Sequence, residues 1–280
     1  MQYSTFAAID IGSYDVILEI FEISKKQGIR SVDKICHRME LGKDTYTLGK
    51  IRPEMEEELC RVLADFVRIM EGYRVDAYRA MASSAISEAA NSLYVLGKIR
   101  QLTGLSVTVL SNSEQRFLGY KALAAMEDNF NKVIEKGTAI LDLDGGSFQI
   151  SLFDKDALVT TQNIRMGSLR VRERLAGIQS ETEHYEEMVE ELIWNEVSSF
   201  KKMYLKDRKI ENIMLIGDVF TDSVYQNIEE KTTKIISREN FNTWYEKIIR
   251  QSPIELAVKL GIPLENASLM YPSAVIYKLT

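Results

Sequence analysis

The sequence predicts an α/β protein built from two similar lobes that face one cleft. The first lobe begins with two antiparallel strands, and strands and helices alternate through the rest of it. An apolar strand that ends in an aspartate and a Gly/Ser turn occurs twice, at Asp10 and again at Asp142. No linker rich in Pro, Gly and Ser separates the halves of the 280-residue chain. We therefore predict lobes at residues 1–125 and 126–280, joined closely.

The first lobe begins with a hairpin. Residues 5–10 and 14–23 have strand-like patterns, the second reading VILEIFEI, and Gly12 and Ser13 form the turn between them. ELGKDTYTLGKI is turn-rich, and an amphipathic helix follows from Pro53 to Gly72. The remaining elements alternate: a strand in RVDAYRAMAS, a helix in SEAANSLYVLGKIRQLTG, a strand in LSVTVLS and a helix in NSEQRFLGYKALAAME, which an Asn/Ser cap opens.

The second lobe repeats this opening. TAILDLDGGSFQISLFDKDAL contains an apolar strand, an aspartate, a Gly/Ser turn and a second alternating strand. Further on, the pattern predicts a helix over 182–204, a strand in NIMLIG, a helix over 238–251 and a closing helix through YPSAVIYKL. The two strand–turn–strand units indicate two lobes built on one plan.

Composition excludes several classes of function. The net charge of −6 disfavours nucleic acids and anionic membranes as partners, because both attract basic surfaces. Cys36 and Cys60 lack the spacing of metal ligands, which disfavours a cysteine metal site. His37 and His184 are far apart in the sequence, which disfavours catalysis by histidine. We find no signal-peptide pattern and no apolar stretch of ~20 residues, so we predict a cytoplasmic protein without a membrane span.

The two turns have the composition of phosphate sites. Successive backbone N–H groups in a Gly/Ser turn form a concave anion site, and glycine lets phosphate oxygens approach the backbone. An aspartate that ends the preceding strand, such as Asp10 or Asp142, can hold Mg²⁺. The alternative is that DGGS is simply a favourable hairpin turn. The candidate phosphate-binding residues are Gly12, Ser13, Asp144, Gly145, Gly146 and Ser147.

Several segments together resemble one family. AAIDIGSYDVILEI resembles the DIGSNS phosphate hairpin of the exopolyphosphatase/guanosine pentaphosphate phosphohydrolase family. The segments ELGKDTYTLGKI, RAMASSAISEAANS, TGLSVTVLSNSEQRFLGYKAL, ILDLDGGSFQIS and MGSLRVRERL resemble later motifs of that family in the same order. This family belongs to the superfamily of actin, sugar kinases and heat-shock chaperone ATPases.

The resemblance implies a fold and a reaction. The fold is two ribonuclease-H-like, actin-like ATPase lobes facing an interlobe cleft, here in a short form without the extra C-terminal domains of longer members. The reaction is Mg²⁺-dependent hydrolysis of a terminal phosphoanhydride, in polyphosphate or guanosine pentaphosphate, by a water that a glutamate activates. The resemblance also leaves a homodimer open.

Most residues that differ from the family pattern lie at positions where the resemblance implies phosphate binding or catalysis. Tyr14 replaces an asparagine in the first turn, and Ser87 replaces an arginine that would contact phosphate. In the second hairpin Asp144 replaces a glycine and Gln149 a glutamate. MLIGDVFTDSV stands where the family has a third Gly-rich turn, most of which is lost.

The catalytic position is also altered. Gln115 aligns with the glutamate expected to be the catalytic base, and glutamine can orient a water but cannot take its proton. A register shift of one would make Glu114 the base instead. In MGSLRVRERL, Glu173 and Arg174 are expected to form an ordinary surface pair.

Three hypotheses remain open at this stage. The first is an active phosphohydrolase, and the second is an impaired relative that binds phosphate compounds or nucleotides in regulation. The third is an enzyme with a changed substrate, in which Tyr14 and Asp144 recognise something other than an inorganic chain.

Overall fold

The computed structural model of the chain describes residues 3–126, 130–176, 185–206, 208–217, 220–221, 223 and 236–280. The chain divides into two compact units, Met1–Leu118 and Gly119–Thr280. Each unit has its own mixed β-sheet. Among the described residues, no helix is both long and apolar enough to cross a membrane.

The sheet of the first unit has five strands in the order β3-β2-β1-β4-β5. The first three strands are antiparallel. Strand β4 pairs in parallel with β1, and β5 pairs in parallel with β4. The strands are β1 (Ser4–Ile11), β2 (Asp15–Ser24), β3 (Gly28–Arg38), β4 (Ala77–Ala82) and β5 (Val107–Val109). The strand β3 was not predicted, since most of its side chains are exposed and none is fully buried.

The helices between Leu41 and Thr103 pack on one face of this sheet. The buried residues of α2 recur at helical spacing (Leu59, Leu63, Phe66, Met70) and pack in one core with the inward side chains of β1 and β2. The helices are α1 (Leu41–Leu48), α2 (Pro53–Gly72), α3 (Ser84–Ser87), α4 (Ser92–Thr103) and α5 (Asn112–Met126). The division between the two units falls inside α5.

The prediction of a turn-rich stretch around residue 45 is wrong, because α1 lies there. Contacts with distant residues hold this helix in place. The hydroxyl of Thr45 donates to the carbonyl of Ala85 at 2.7 Å, and the buried carboxylate of Asp44 accepts from the backbone and side chain of Arg52. Tertiary contacts therefore override the weak helix propensity of the segment.

The sheet of the second unit has four strands in the order β8-β7-β6-β9. Its first three strands are antiparallel, and β9 joins parallel to β6. The strands are β6 (Thr138–Leu143), β7 (Phe148–Asp154), β8 (Ala157–Ile164) and β9 (Asn212–Ile216). The order matches β3-β2-β1-β4 of the first unit, so the repeat seen in the sequence is a repeat of strand topology. The third strand, β8, was again not predicted.

Two cores flank this second sheet. Alternate residues of β6 and β7, such as Leu141 and Ile150, pack with five helices, whereas Ile140 and Phe153 on the other face pack with α6 and the end of α5. The helices are α6 (Phe130–Ile134), α7 (Ser168–Leu175), α8 (Tyr185–Tyr204), α9 (Arg238–Ile249), α10 (Pro253–Leu260) and α11 (Leu264–Leu279). The predicted helix start at residue 182 lies outside the described residues.

Candidate functional site

The first turn connects β1 and β2 as predicted. The backbone N–H of Gly12 donates to the carbonyl of Asp15 at 2.9 Å, which closes the turn. A Cβ on Gly12 would lie 3.0 Å from that carbonyl oxygen, so the tight turn favours glycine. Asp10 lies near the end of β1 and is exposed. The structure thus brings Asp10, Gly12 and Ser13 together at one end of the first sheet.

The hydroxyl of Ser13 is not directed to solvent. Ser13 is 1% exposed, and its Oγ lies 2.7 Å from the Tyr46 hydroxyl and 3.2 Å from Ser84 Oγ. The Tyr46 hydroxyl is also 2.9 Å from Ser84 Oγ. Sequence reasoning missed Tyr46 and Ser84, because nothing in a single sequence pairs positions 33 and 71 residues away with the turn.

Of the two substituted residues near the first turn, Tyr14 is buried and Ser87 is exposed. Tyr14 is 7% exposed, and the guanidinium carbon of Arg38 lies 4.0 Å from the centre of its ring. Ser87, at the position of the family's arginine, is exposed. Ser83 is buried, and its hydroxyl has no hydrogen-bond partner within the part of the chain that the structure describes.

The second turn connects β6 and β7. The N–H of Asp144 donates to the carbonyl of Ser147 at 2.9 Å, and the N–H of Gly145 donates to the carboxylate of Asp144 at 2.7 Å. The side chain of Asp144 therefore occupies one of the backbone donors that an anion site would use. Ser147 Oγ accepts from the amide of Asn163 on β8 at 3.1 Å.

The residues at the start of α7 pack against the second turn and hydrogen-bond to it. A Cβ on Gly167 would lie 2.2 Å from the carbonyl oxygen of Asp144 and 2.4 Å from the nitrogen of Ser147, so only glycine fits there. Arg170 donates through its backbone N–H to the carbonyl of Gly145 and through Nε to that of Gly146, at 2.9 and 2.7 Å. The segment MGSLR is therefore a brace for the turn.

The expected surface pair of Glu173 and Arg174 is wrong. The side chain of Glu173 is 9% exposed, and its carboxylate accepts from Nε and Nη2 of Arg172 at 2.9 and 2.6 Å. Arg172 also donates to Ser268 of α11. Arg174 donates to the sulfur of Met166 at 3.6 Å. These contacts hold α7 in position, and thereby hold Gly167 and Arg170 against the second turn.

Asp142 has the most perturbed carboxylate of the site. Burial and, secondarily, the charge of Asp144 raise the pKa of Asp142 to about 6. Gly119 and Gly217 lie beside the carboxylate: a Cβ on either would be in ordinary van der Waals contact with its oxygens, at 3.7 and 3.6 Å. Gly217, with φ of 74°, is the surviving glycine of the altered third turn.

The residues around Asp142 fit a divalent cation. A cation would relieve the repulsion between Asp142 and Asp144, and Mg²⁺ is commonly bound by one or two carboxylates together with water and substrate phosphates. Within the described residues no cluster of three or more His, Cys, Asp or Glu side chains forms a metal centre. Water and phosphate would therefore have to supply most of the ligands.

Glu114 serves as a helix cap. Its carboxylate accepts from the backbone N–H of Ser111 at 2.9 Å and from its hydroxyl at 2.7 Å, while the N–H of Glu114 donates back to that hydroxyl. These hydrogen bonds lower the pKa of Glu114, which weakens it as a base. Gln115 is half-buried on the next position of α5. The catalytic roles of Glu114 and Gln115 stay predictions.

Comparisons with known proteins place this site in a family context. A family model, the Ppx/GppA phosphatase family, matches residues 19–279. A bifunctional 3-dehydroquinate synthase/phosphatase of Fusobacterium nucleatum is 21% identical over 238 residues, which are 80% of this chain and 34% of that protein. Exopolyphosphatase 1 of Mycobacterium leprae is 25% identical over 144 residues, 51% of this chain and 41% of that protein. The chain thus spans less than half the length of these curated relatives.

Solved structures match the chain along its whole length. An exopolyphosphatase from Cytophaga hutchinsonii superposes with a TM-score of 0.81 at 19% identity, covering 99% of this chain and 89% of that chain. An Aquifex aeolicus member of the Ppx/GppA family superposes with a TM-score of 0.75 at 20% identity, covering 100% and 90%. The shared fold confirms the fold class predicted from the sequence, and the cleft between the lobes stays a prediction.

Proposed function

The chain belongs to the Ppx/GppA phosphatase family. We therefore propose that it binds the terminal phosphate of polyphosphate or of a guanosine polyphosphate together with Mg²⁺. We further propose that it slowly hydrolyses the phosphoanhydride bond that links this phosphate to the rest of the compound. The observation that carries the proposal is the second turn. Gly167 and Arg170 hold its backbone in place, and a half-buried carboxylate with a raised pKa, that of Asp142, lies at its base. A hairpin retained only as a connection would need neither feature.

Each residue of the second turn has a part in this proposal. The N–H groups of Gly146 and Ser147 would donate to phosphate oxygens, and Asp142 would hold Mg²⁺ directly or through water. The cation supplies charge neutralisation at the phosphoanhydride. The metal-binding role of Asp10 at the first turn stays a prediction.

Slow hydrolysis follows from the residues that would activate water. Gln115 can orient a water molecule but cannot accept its proton. Glu114 could accept it only after giving up its capping contacts with Ser111, and its lowered pKa favours the ionised, capping form. Ser87 cannot replace the bidentate contact of an arginine. The site therefore retains features for binding and lacks those for fast chemistry.

A second function is favoured by the capping role of Glu114. Without a base the protein would act as a phosphate- or nucleotide-binding regulatory protein. Both functions suit a cytoplasmic protein: Cys36 and Cys60 are free, as is usual in reducing compartments, and the net charge is −6. A homodimer is compatible with either function.

The test is phosphate release from polyphosphate and from guanosine pentaphosphate, with Mg²⁺ present. Wild type, Asp142→Ala, Glu114→Ala and Glu255→Ala are compared. Glu255 is a matched control, since it forms the same capping box with Ser252 at the start of α10. We expect slow release that Asp142→Ala abolishes and both glutamate variants keep.

The other outcomes separate the hypotheses. Release lost in Glu114→Ala and kept in Glu255→Ala would make Glu114 the base. Binding of tripolyphosphate without any release would favour the regulatory function. Folded wild type that neither binds nor hydrolyses either compound would refute both.

A further inference from the structure

Three hydroxyl groups from three separate segments meet beside the first turn. Ser13 comes from the turn itself, Tyr46 from α1 and Ser84 from the start of α3. The Tyr46 hydroxyl lies 2.7 Å from Ser13 Oγ and 2.9 Å from Ser84 Oγ. The two serine hydroxyls thus converge on one oxygen atom.

This convergence has the geometry of an oxyanion subsite. Two hydroxyls within hydrogen-bond distance of one oxygen are the arrangement that serines present to a phosphate oxygen. Here a tyrosine of the same chain supplies that oxygen. Because Ser13 is only 1% exposed, a phosphate oxygen could reach its hydroxyl only after Tyr46 had left.

A second observation points to a displaced ligand. Ser83 directly precedes Ser84 and donates its backbone N–H to the carbonyl of Ile11, next to the first turn. Its side-chain hydroxyl is buried and has no hydrogen-bond partner among the described residues. A buried hydroxyl without a partner is unfavourable and is often found where a ligand would supply the partner.

We propose that Tyr46 fills a phosphate subsite at the first turn and so keeps phosphate compounds from binding there. The inference rests on the proposed function, because it assumes that the site receives phosphate at all. With this subsite filled, the first turn offers no serine hydroxyl to a phosphate oxygen.

The test measures the Kd of tripolyphosphate by calorimetry in the presence of Mg²⁺. Wild type, Tyr46→Ala and the double variant Tyr46→Ala/Ser84→Ala are compared, with Tyr94→Ala as control, because Tyr94 lies exposed on α4. We expect Tyr46→Ala to bind about tenfold more tightly, since two hydroxyls become donors to a charged oxygen. The double variant should lose that gain, and Tyr94→Ala should bind like wild type.

The outcomes distinguish this inference from the proposed function. A folded Tyr46→Ala protein that binds no more tightly than wild type overturns the inference and leaves the proposed function standing. Binding by Tyr46→Ala but not by wild type supports the inference and contradicts the proposed function of the natural chain. If the alanine variant unfolds, Tyr46→Val removes the hydroxyl with a smaller void, and the same comparison decides.

Discussion

At the scale of single residues, glutamine in place of the family's glutamate at position 115 is the most direct reason for the slow hydrolysis that we propose. Gln115→Glu restores a carboxylate on α5 at the position where the resemblance expects the base. A general base is worth about 10²–10⁴ in rate, so we expect release from polyphosphate to rise at least about tenfold. Gln101→Glu, an exposed change on α4, should leave the rate unchanged. Equal rates in both variants would mean that the base is not what limits the reaction.

The charged form of Asp142 costs stability. Its pKa is raised to about 6 in the folded protein, so the folded state holds this proton more tightly than the unfolded chain does. The free energy of unfolding therefore falls as the pH rises from about 4 to above 6, by up to about 3 kcal/mol.

Asp142→Asn removes that cost. We expect the variant to be about 1–3 kcal/mol more stable than wild type at pH 7.5 and equally stable at pH 4, where the wild-type carboxylate is protonated. Urea titrations without divalent cations measure both differences. A gain of the same size at both pH values would show that the charge is not its cause.

At the scale of elements, the close approach of α7 to the second turn should be indispensable. Gly167→Ala would place a methyl group 2.2 Å from the carbonyl oxygen of Asp144, so the turn or the helix must move. We expect a loss of about 3 kcal/mol in the free energy of unfolding and weaker tripolyphosphate binding. Gly97→Ala is the matched control: Gly97 lies in α4 with open space around it, and alanine there should stabilise by about 1 kcal/mol.

The elements also show what a single sequence can predict. The bounds of α2 are those that the periodic pattern predicted, because one face of that helix is buried along its length. The edge strands β3 and β8 were missed because neither has a continuously buried face: most residues of β3 are exposed, and most residues of β8 are only half-buried. The turns were visible as Gly/Ser motifs. Tyr46 and Gly167 were not, because their importance depends on contacts with residues distant in the sequence.

At the scale of the whole molecule, each of the two units has its own core. A measurement that reports on each unit separately can therefore show which unit a ligand contacts. The first core packs on β1 and β2, and the other two pack on the faces of β6 and β7. A ligand that binds only the folded state slows amide exchange in the unit it contacts. Exchange followed by mass spectrometry can therefore report which turn holds a phosphate chain.

We expect Mg²⁺ and tripolyphosphate to slow exchange in β6, β7 and β9 of wild type and to leave β1 and β2 unchanged, since Tyr46 fills the first subsite. In Tyr46→Ala, β1 and β2 should become protected as well. At a ligand concentration of 100 times the Kd, the unit that binds gains about 2.7 kcal/mol, which corresponds to roughly a hundredfold slower exchange through its unfolding. Sulfate at the same ionic strength is the control. Protection of β1 and β2 in wild type would mean that the first turn binds the ligand and that Tyr46 does not exclude it.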